Sequence, residues 1–286
     1  MNIISQPPGL RACEDGGGCG VTNLVATTQS SQGSVANVRT IQDGQILSGF
    51  SQADVANDMV AGTGAFAGML PLAKVRGLAN LYPENLHIVV RYGAGIRRIA
   101  DLPGKKVSMD LLGSGTRLEA NIILAGYGLT NTDILSVNGT SDQAATLMRK
   151  GELDAFIVVA GIPARAVTTL TRGSVAAVIG LGEEQKKTIL ADHCFFSQSA
   201  ILDGIYAGVS GVSTIAVGAQ WVISADALED LVHAICRALW SDSARIALDK
   251  GHPQGQHIRL ARALDGISIP LHPGATRCYR ELGLIK

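Results

Sequence analysis

The chain has 286 residues, with 24 acidic and 24 basic side chains and a hydrophobic content of 47%. This balanced charge excludes a strong attraction to nucleic acid or to an anionic membrane. No uninterrupted apolar run approaches the roughly 20 residues of a membrane span, and 34 glycines favour an α/β protein over a helical bundle.

The N-terminal segment contains no basic region followed by an apolar region, so on its face the chain is cytoplasmic. Cys13 and Cys19 flank a Gly-rich loop and could close a small disulfide ring in an oxidising compartment. The other cysteines, Cys194, Cys236 and Cys278, lie in apolar surroundings and are predicted to be buried thiols. Without C-x-x-C or His at ligand spacing, we expect no metal and no cofactor.

The first elements alternate between strand and helix. Val21 to Thr28 has the alternation of a strand, and Ser34 is a suitable N-cap for a helix that ends near Asp43. Gln45 to Phe50 is predicted as a short strand that leads into a polar loop at Ser51 to Asp54. Two apolar runs follow, Val75 to Leu81 and Leu86 to Arg91, separated by Tyr82-Pro83-Glu84.

The stretch from Asp101 to Leu124 predicts a binding loop for a small anion. Lys105 to Met109 reads as a strand, and Gly113 to Thr116 then opens an apolar-periodic helix. The first N–H groups of a helix lack internal partners and carry partial positive charge, which suits an anion. The same residues are equally compatible with ordinary helix capping. The stretch has neither the Walker lysine nor a G-x-G-x-x-G pattern, which argues against a nucleotide.

A similar order recurs further along the chain. Ser141 is the expected cap of the next helix, Gly151 ends it, and a strand from Glu152 to Val159 leads into Ala160-Gly161-Ile162-Pro163. The recurrence predicts an α/β protein with two lobes. Residues 1–86 and 216–286 would form the first lobe, and residues 87–215 the second. Val212 to Ser224 is the expected return crossing. Because open α/β sheets bind ligands beyond the carboxyl ends of their strands, we expect the ligand in a cleft between the lobes.

Six motifs occur in the order found in TAXI proteins, the extracytoplasmic solute-binding subunits of tripartite ATP-independent periplasmic (TRAP) transporters, and the resemblance spans essentially the whole chain. The motifs are Gly33 to Val38, Phe50 to Val55, Ala79 to Glu84, Asp101 to Lys105, Gly113 to Thr116, and Gly151 to Phe156 with Ala160 to Pro163.

The resemblance implies a two-lobed periplasmic-binding-protein fold of type II, with a hinge of crossing strands and closure around a solute. It also implies a periplasmic location, a small carboxylate such as glutamate or glutamine as ligand, TRAP permease subunits as partners, and a monomer. TAXI proteins begin with a signal peptide, a strand and a Gly-rich aromatic loop, none of which precedes Asn2 to Arg11 here. We expect either a misplaced start site or a truncated gene, and a missing strand would expose a sheet edge.

The candidate ligand-binding residues lie at or beside these strand-to-helix loops: Ser34, Gln52, Tyr82, Ser114, Gly115, Thr116, Arg117, Gly161 and Pro163. Arg117 could grip a carboxylate with two parallel hydrogen bonds, or point outward. Ser34 is also explained as a cap, Gln52 as a loop bond and Tyr82 as interdomain packing. Gly161 and Pro163 would contribute backbone only.

Asp54 suits either a ligand amino group or a helix cap, and the cap is the simpler interpretation. No nucleophile motif stands beside a histidine, so the chain is not expected to be an enzyme. The leading hypothesis is a solute receptor. The alternatives are a cytoplasmic sensor or effector-binding subunit, and a truncated fragment that does not bind.

Overall fold

The computed structural model describes residues 3–6 and 20–286 and divides the chain into two units. Unit 1 comprises Met1–Tyr82 and Ala219–Lys286, and unit 2 comprises Pro83–Gly218. The predicted lobe boundaries were 86/87 and 215/216. Cys13 and Cys19 lie outside the described residues. Among the residues that are described, none of the helices has the length and apolar character needed to cross a membrane.

Each unit contains both strands and helices, which confirms the α/β class. Unit 1 contains β1 (Ser5–Gln6), β2 (Val21–Thr22), α1 (Ser34–Gln42), β3 (Ser48–Gln52), α2 (Ala53–Ala61), α7 (Glu229–Leu239), α8 (Asp242–Lys250) and α9 (Pro273–Glu281). Unit 2 contains β5 (Lys106–Ser108), α3 (Gly115–Gly126), β6 (Leu135–Val137), α4 (Ser141–Arg149), β7 (Ala155–Ala160), α5 (Arg165–Arg172), β8 (Ala176–Ile179), α6 (Glu183–Asp192) and β9 (Ser197–Ile201).

Two long strands, β4 (Val75–Arg91) and β10 (Val212–Ser224), carry the chain from one unit to the other. The bounds of β10 match the predicted crossing. The prediction of two separate runs around Pro83 was wrong, because β4 continues through the proline. A proline fits the φ of extended backbone and removes only its own donor, so it need not end a strand.

The sheet of unit 2 places β5 between two parallel neighbours. Val107 lies opposite Ser136 of β6 and Ser108 lies opposite Phe156 of β7. β4 runs antiparallel to β7, with Asn85 opposite Ala160. The run Ala155–Ala160 is almost entirely buried, as expected for a strand covered on both faces. Helices α4 and α5 pack their apolar side chains against this strand.

In unit 1, β3 pairs antiparallel with β10, so that Phe50 lies opposite Trp221. Several predicted boundaries here and in unit 2 were shifted. The first predicted strand forms a ladder only at Val21–Thr22, and the next runs from Ser48 to Gln52. The helix caps lie one residue earlier than expected: Gly33, with φ 113°, precedes Ser34, and Thr140 precedes Ser141.

Cys236 and Cys278 form a disulfide that joins α7 to α9 across 42 residues of sequence. The expectation of two buried free thiols was therefore wrong, although both residues are fully buried. Cys194 is free but exposed, which also differs from the prediction. Beside the disulfide, the Tyr279 hydroxyl is buried and donates to the Leu78 carbonyl of β4 at 2.9 Å.

We expect reduction of this disulfide, or the double change Cys236→Ala and Cys278→Ala, to lower the free energy of unfolding. Closing a loop of this length restricts the unfolded chain by about 4 kcal/mol in the chain-entropy model. Urea unfolding with and without reductant measures the effect, and Cys194→Ser is the control with no expected change. Equal stability of the oxidised and reduced protein would contradict the assignment.

Candidate functional site

The best-defined candidate site lies in unit 2, at the carboxyl ends of β5, β6 and β7. These strands are mutually parallel, so their carboxyl ends meet at one edge of the sheet. Each strand leads into a helix, α3, α4 and α5 respectively, so three helix N-termini lie along that edge. Unpaired N–H groups and the helix dipoles give such an edge a positive potential.

At the start of α3, Ser114 and Thr116 have structural partners. The buried Ser114 hydroxyl is the N-cap and accepts from the Arg117 backbone N–H at 3.2 Å. The buried Thr116 hydroxyl accepts from the Val159 N–H at 3.1 Å and so fixes α3 to β7. Gly115 is the first, buried residue of the helix. Its N–H belongs to the first turn, whose donors lack partners within the helix.

Arg117 lies partly buried beside the loop that follows β6. Its Nη1 donates to the Asn138 side-chain oxygen at 2.8 Å. Within residues 3–6 and 20–286, the guanidinium forms no ion pair with a carboxylate. A neutral partner orients the guanidinium without neutralising it, so Arg117 adds a full positive charge to the edge where the helices begin.

The loop of Gly161 and Pro163 is held by a buried chain of hydrogen bonds. The Tyr206 hydroxyl accepts from the Ala164 N–H, directly after Pro163, at 2.7 Å. The Asn85 carbonyl can only accept, so the hydrogen of the neutral His87 ring is on Nδ1, and Nε2 accepts from the Tyr206 hydroxyl at 2.8 Å. His87 is thus the neutral tautomer protonated on Nδ1, and this N–H donates to the Asn85 carbonyl at 2.8 Å. The Ile162–Pro163 peptide bond is cis.

His87 is buried, and this burial lowers its pKa from 6.5 to about 4. Protonation of Nε2 would remove the acceptor of the Tyr206 hydroxyl hydrogen. The hydrogen-bond chain that holds the Pro163 loop therefore requires the neutral imidazole.

In unit 1, Ser34 and Gln52 meet at the end of β3. The Ser34 hydroxyl accepts from the Gln52 backbone N–H at 3.1 Å and donates to its side-chain oxygen at 3.4 Å. Ser34 is thus not the cap of α1, and its hydroxyl instead joins α1 to the N-terminus of α2. Tyr82 packs against the apolar core of unit 1.

Asp54 lies in the first turn of α2. The N-cap of α2 is Gln52, so Asp54 is not the expected cap. Its Oδ1 is buried and has no hydrogen-bond partner among the residues that the structure describes. Burial raises the pKa of its carboxyl from 3.8 to about 7, and the nearby Asp58 adds to the increase.

Sequence reasoning missed four contributors to the edge in unit 2: Asn138, Thr140, His87 and Tyr206. Thr140 could have been found, because Thr140 with Gln143 forms the capping box that starts α4. His87 and Tyr206 are separated by 119 residues and carry no local pattern. Among residues 3–6 and 20–286, no group of three or more His, Cys, Asp or Glu side chains is placed to hold a metal ion.

Comparison with known proteins then places the chain in a family. The model of the NMT1-like family matches residues 20–283. The chain belongs to the NMT1-like family. The match includes all nine candidate ligand-binding residues, so both groups of site residues in this NMT1-like chain lie within the shared region.

Three of the solved structures that resemble the NMT1-like chain are binding proteins, each at low sequence identity. The alkanesulfonate-binding protein SsuA from Xanthomonas axonopodis pv. citri is 16% identical, with 87% of this chain and 71% of that chain covered and a TM-score of 0.42. The periplasmic aliphatic sulphonate binding protein SsuA from Escherichia coli is 14% identical, with 85% of this chain and 68% of that chain covered and a TM-score of 0.42. The arginine-bound form of truncated ArgBP from T. maritima is 13% identical, with 71% of this chain and 70% of that chain covered and a TM-score of 0.40.

We expect unit 2 to lose stability in acid through His87. Its folded pKa lies below its unfolded pKa, so the unfolded state binds the extra proton as the pH falls from about 7 towards 4. Between pH 7 and pH 5 this lowers the free energy of unfolding by about 2 kcal/mol. Urea unfolding across this range should show a weaker pH dependence for His87→Gln, whereas the exposed His257→Gln should behave like the unchanged protein.

Asp54 is expected to act in the opposite direction. Its folded pKa is raised, so the folded state holds the extra proton between about pH 7 and pH 4, and acid stabilises this site. Asp54→Asn should remove about 2 kcal/mol of stabilisation that the unchanged chain gains between pH 7 and pH 5. The exposed Asp43→Asn is the control. If both variants retain the same pH dependence as the unchanged chain, the Asp54 carboxyl is ionised at neutral pH.

Proposed function

We propose that this chain is a non-enzymatic extracytoplasmic receptor that binds a small carboxylate, such as glutamate or glutamine, for a TAXI-type TRAP transporter. The observation that carries the carboxylate assignment is the Arg117 guanidinium, held by a neutral amide oxygen beside the helix N-termini. The ordered TAXI motifs support the transporter class. Closure of two lobes around the solute, and partnership with TRAP permease subunits, belong to the same proposal.

The chemistry of the edge in unit 2 favours an anion over a cation. Helix N-termini stabilise negative charge, and a guanidinium offers two parallel N–H donors to one carboxylate. The Ser114 and Thr116 hydroxyls serve capping and packing, so backbone N–H groups and Arg117 would provide most of the binding energy. Specificity for glutamate or glutamine would then depend on the remainder of the ligand.

The disulfide between Cys236 and Cys278 supports an extracytoplasmic location. Disulfides persist in oxidising compartments such as the periplasm and are rare in cytosolic proteins. Both sulfurs are buried in the core of unit 1, where they stabilise the folded protein and have no exposed position for catalysis or redox sensing.

Thermal melting against a panel of glutamate, glutamine, succinate, an alkanesulfonate and arginine tests the ligand class. A ligand that binds only the folded state raises the melting temperature by mass action. A shift with a carboxylate supports the proposal. A shift with the sulfonate alone would overturn the carboxylate, and a shift with arginine alone would overturn glutamate and glutamine as ligands but not the carboxylate, because arginine also carries one.

For a carboxylate that shifts the melting temperature, we expect Arg117→Ala to weaken binding about tenfold or more, because it removes a charge-assisted pair of hydrogen bonds. Titration calorimetry measures the change. Arg149→Ala is the matched control, since Arg149 is exposed at the last turn of α4 and bonds only to Thr146 among the described residues. An unchanged affinity in Arg117→Ala would show that the guanidinium does not contact the ligand.

A further inference from the structure

The loop that follows β5 carries a carboxylate at the same edge of unit 2 as Arg117. β5 ends at Ser108, the next residue, Met109, is fully buried, and Asp110 then begins the loop that leads into α3. Asp110 has a φ of 69°, in the left-handed region that aspartate, asparagine and glycine tolerate best. An acidic side chain is thus held at the carboxyl end of the strand that lies between β6 and β7.

The Asp110 carboxylate has one protein partner, which is uncharged. The Leu111 N–H donates to its Oδ1 at 2.7 Å. Among the residues that the structure describes, Oδ2 accepts no hydrogen bond and is not buried, so it is accessible to solvent. Partial burial raises the pKa of this carboxyl above its ordinary value, and the Leu111 N–H offsets only part of the effect. No cation of the described chain compensates the desolvation of the carboxylate.

The edge contains few charged side chains. We consider the loops after the three parallel strands together with the first four residues of the helix after each loop: 109–118, 138–144 and 161–168. The charged side chains in these segments are Asp110, Arg117, Asp142 and Arg165. Asp142 and Arg165 form an ion pair and neutralise each other. Arg117 bonds to a neutral amide and Asp110 to a backbone N–H, so one positive and one negative charge remain.

These two remaining charges do not neutralise each other, because Asp110 and Arg117 form no ion pair in the part of the chain that the structure describes. Unit 2 is continuous and residues 83–218 are all described, so the balance of charge at this edge is a property of unit 2 itself. A monocarboxylate would pair with Arg117 and leave Asp110 without a counter-charge. A dicarboxylate would add a second negative charge near Asp110, which is unfavourable.

We propose that Asp110 is a specificity-determining residue that accepts the ammonium group of the ligand, so that this edge binds an amino acid in its zwitterionic form and discriminates against carboxylates that lack an ammonium group. The inference rests on the proposed function, because Arg117 and the backbone N–H groups at the start of α3 hold the carboxylate. Oδ2 is the oxygen available to the ammonium group, since Oδ1 already accepts from Leu111. Discrimination then comes from leaving Asp110 unpaired when the wrong ligand binds.

Pairs of compounds that differ only in the ammonium group test the inference by titration calorimetry. Suitable pairs are glutamate with glutarate, and glutamine with its deaminated analogue. We expect the amino acid of a pair to bind at least tenfold more tightly than the compound without the ammonium group, because a charge-assisted hydrogen bond is lost.

Asp110→Asn removes the charge and keeps both the acceptor for the Leu111 N–H and the tolerance of a positive φ. Affinity for the amino acid should fall about tenfold, whereas affinity for the deaminated compound should stay the same or rise. Asp192→Asn is the matched control, because it removes one negative charge from the exposed last residue of α6 and should leave the preference unchanged. If Asp110→Asn does not fold, Asp110→Gly removes the same carboxylate at a φ that glycine adopts without strain.

Two results would overturn the inference. The first is equal affinity of the unchanged protein for both members of each pair, and the second is an equal loss for both members in Asp110→Asn. In either case a carboxylate still binds and is weakened by Arg117→Ala, so the proposed receptor function would stand.

The opposite failure is also distinguishable, with 1,4-diaminobutane as a probe that has no carboxylate. Binding of this diamine that is weakened by Asp110→Asn, with no binding of any carboxylate, would support the contact between Asp110 and an ammonium group and would overturn the carboxylate receptor. Failure of every amine and amino acid to bind would overturn the role of Asp110.

Discussion

The backbone of β4 is hydrogen-bonded within both units, and much of the structure depends on that one strand remaining extended. In unit 1, the Asn80 N–H donates to the Ala263 carbonyl at 2.7 Å and the Leu78 carbonyl accepts from Tyr279. In unit 2, β4 pairs with β7 and β8. A break in β4 would therefore remove partners from both cores, which explains why the strand continues through Pro83.

The edge in unit 2 illustrates how a site arises from strand direction and not from any single motif. β5, β6 and β7 are short, yet their parallel alignment brings three loops of unrelated sequence to one place. The hydroxyls that attract attention in the sequence, those of Ser114 and Thr116, hold the framework together. In the proposed function, ligand binding would then depend on backbone donors and on Arg117, which is hydrogen-bonded to a side chain of the neighbouring loop.

Sequence patterns predicted an element well where its conformation depends on residues that are close together in the sequence. The β-branched run of β10 was predicted with its observed bounds, because such residues favour extended backbone. Two cap positions were shifted by one residue: the Thr140 hydroxyl caps α4 in place of Ser141, and the Ser34 hydroxyl is bonded to Gln52, which leaves Gly33 as the N-cap of α1. Pairings across the chain were not predictable: Cys236 and Cys278 are 42 residues apart, and nothing local distinguishes a buried thiol from half of a disulfide. The chain from Asn85 through His87 to Tyr206 was missed for the same reason.

The composition of unit 1 from both ends of the chain has a consequence for biosynthesis. Unit 2 is one continuous stretch, so all its residues are present once residue 218 has been made. Unit 1 must wait for α9, because Tyr279 contacts Leu78 across 201 residues of sequence. During synthesis, the early helices and strands of unit 1 therefore expose apolar surface until α9 has been made. Exposed apolar surface favours aggregation, so unit 1 is at risk for a longer part of synthesis than unit 2.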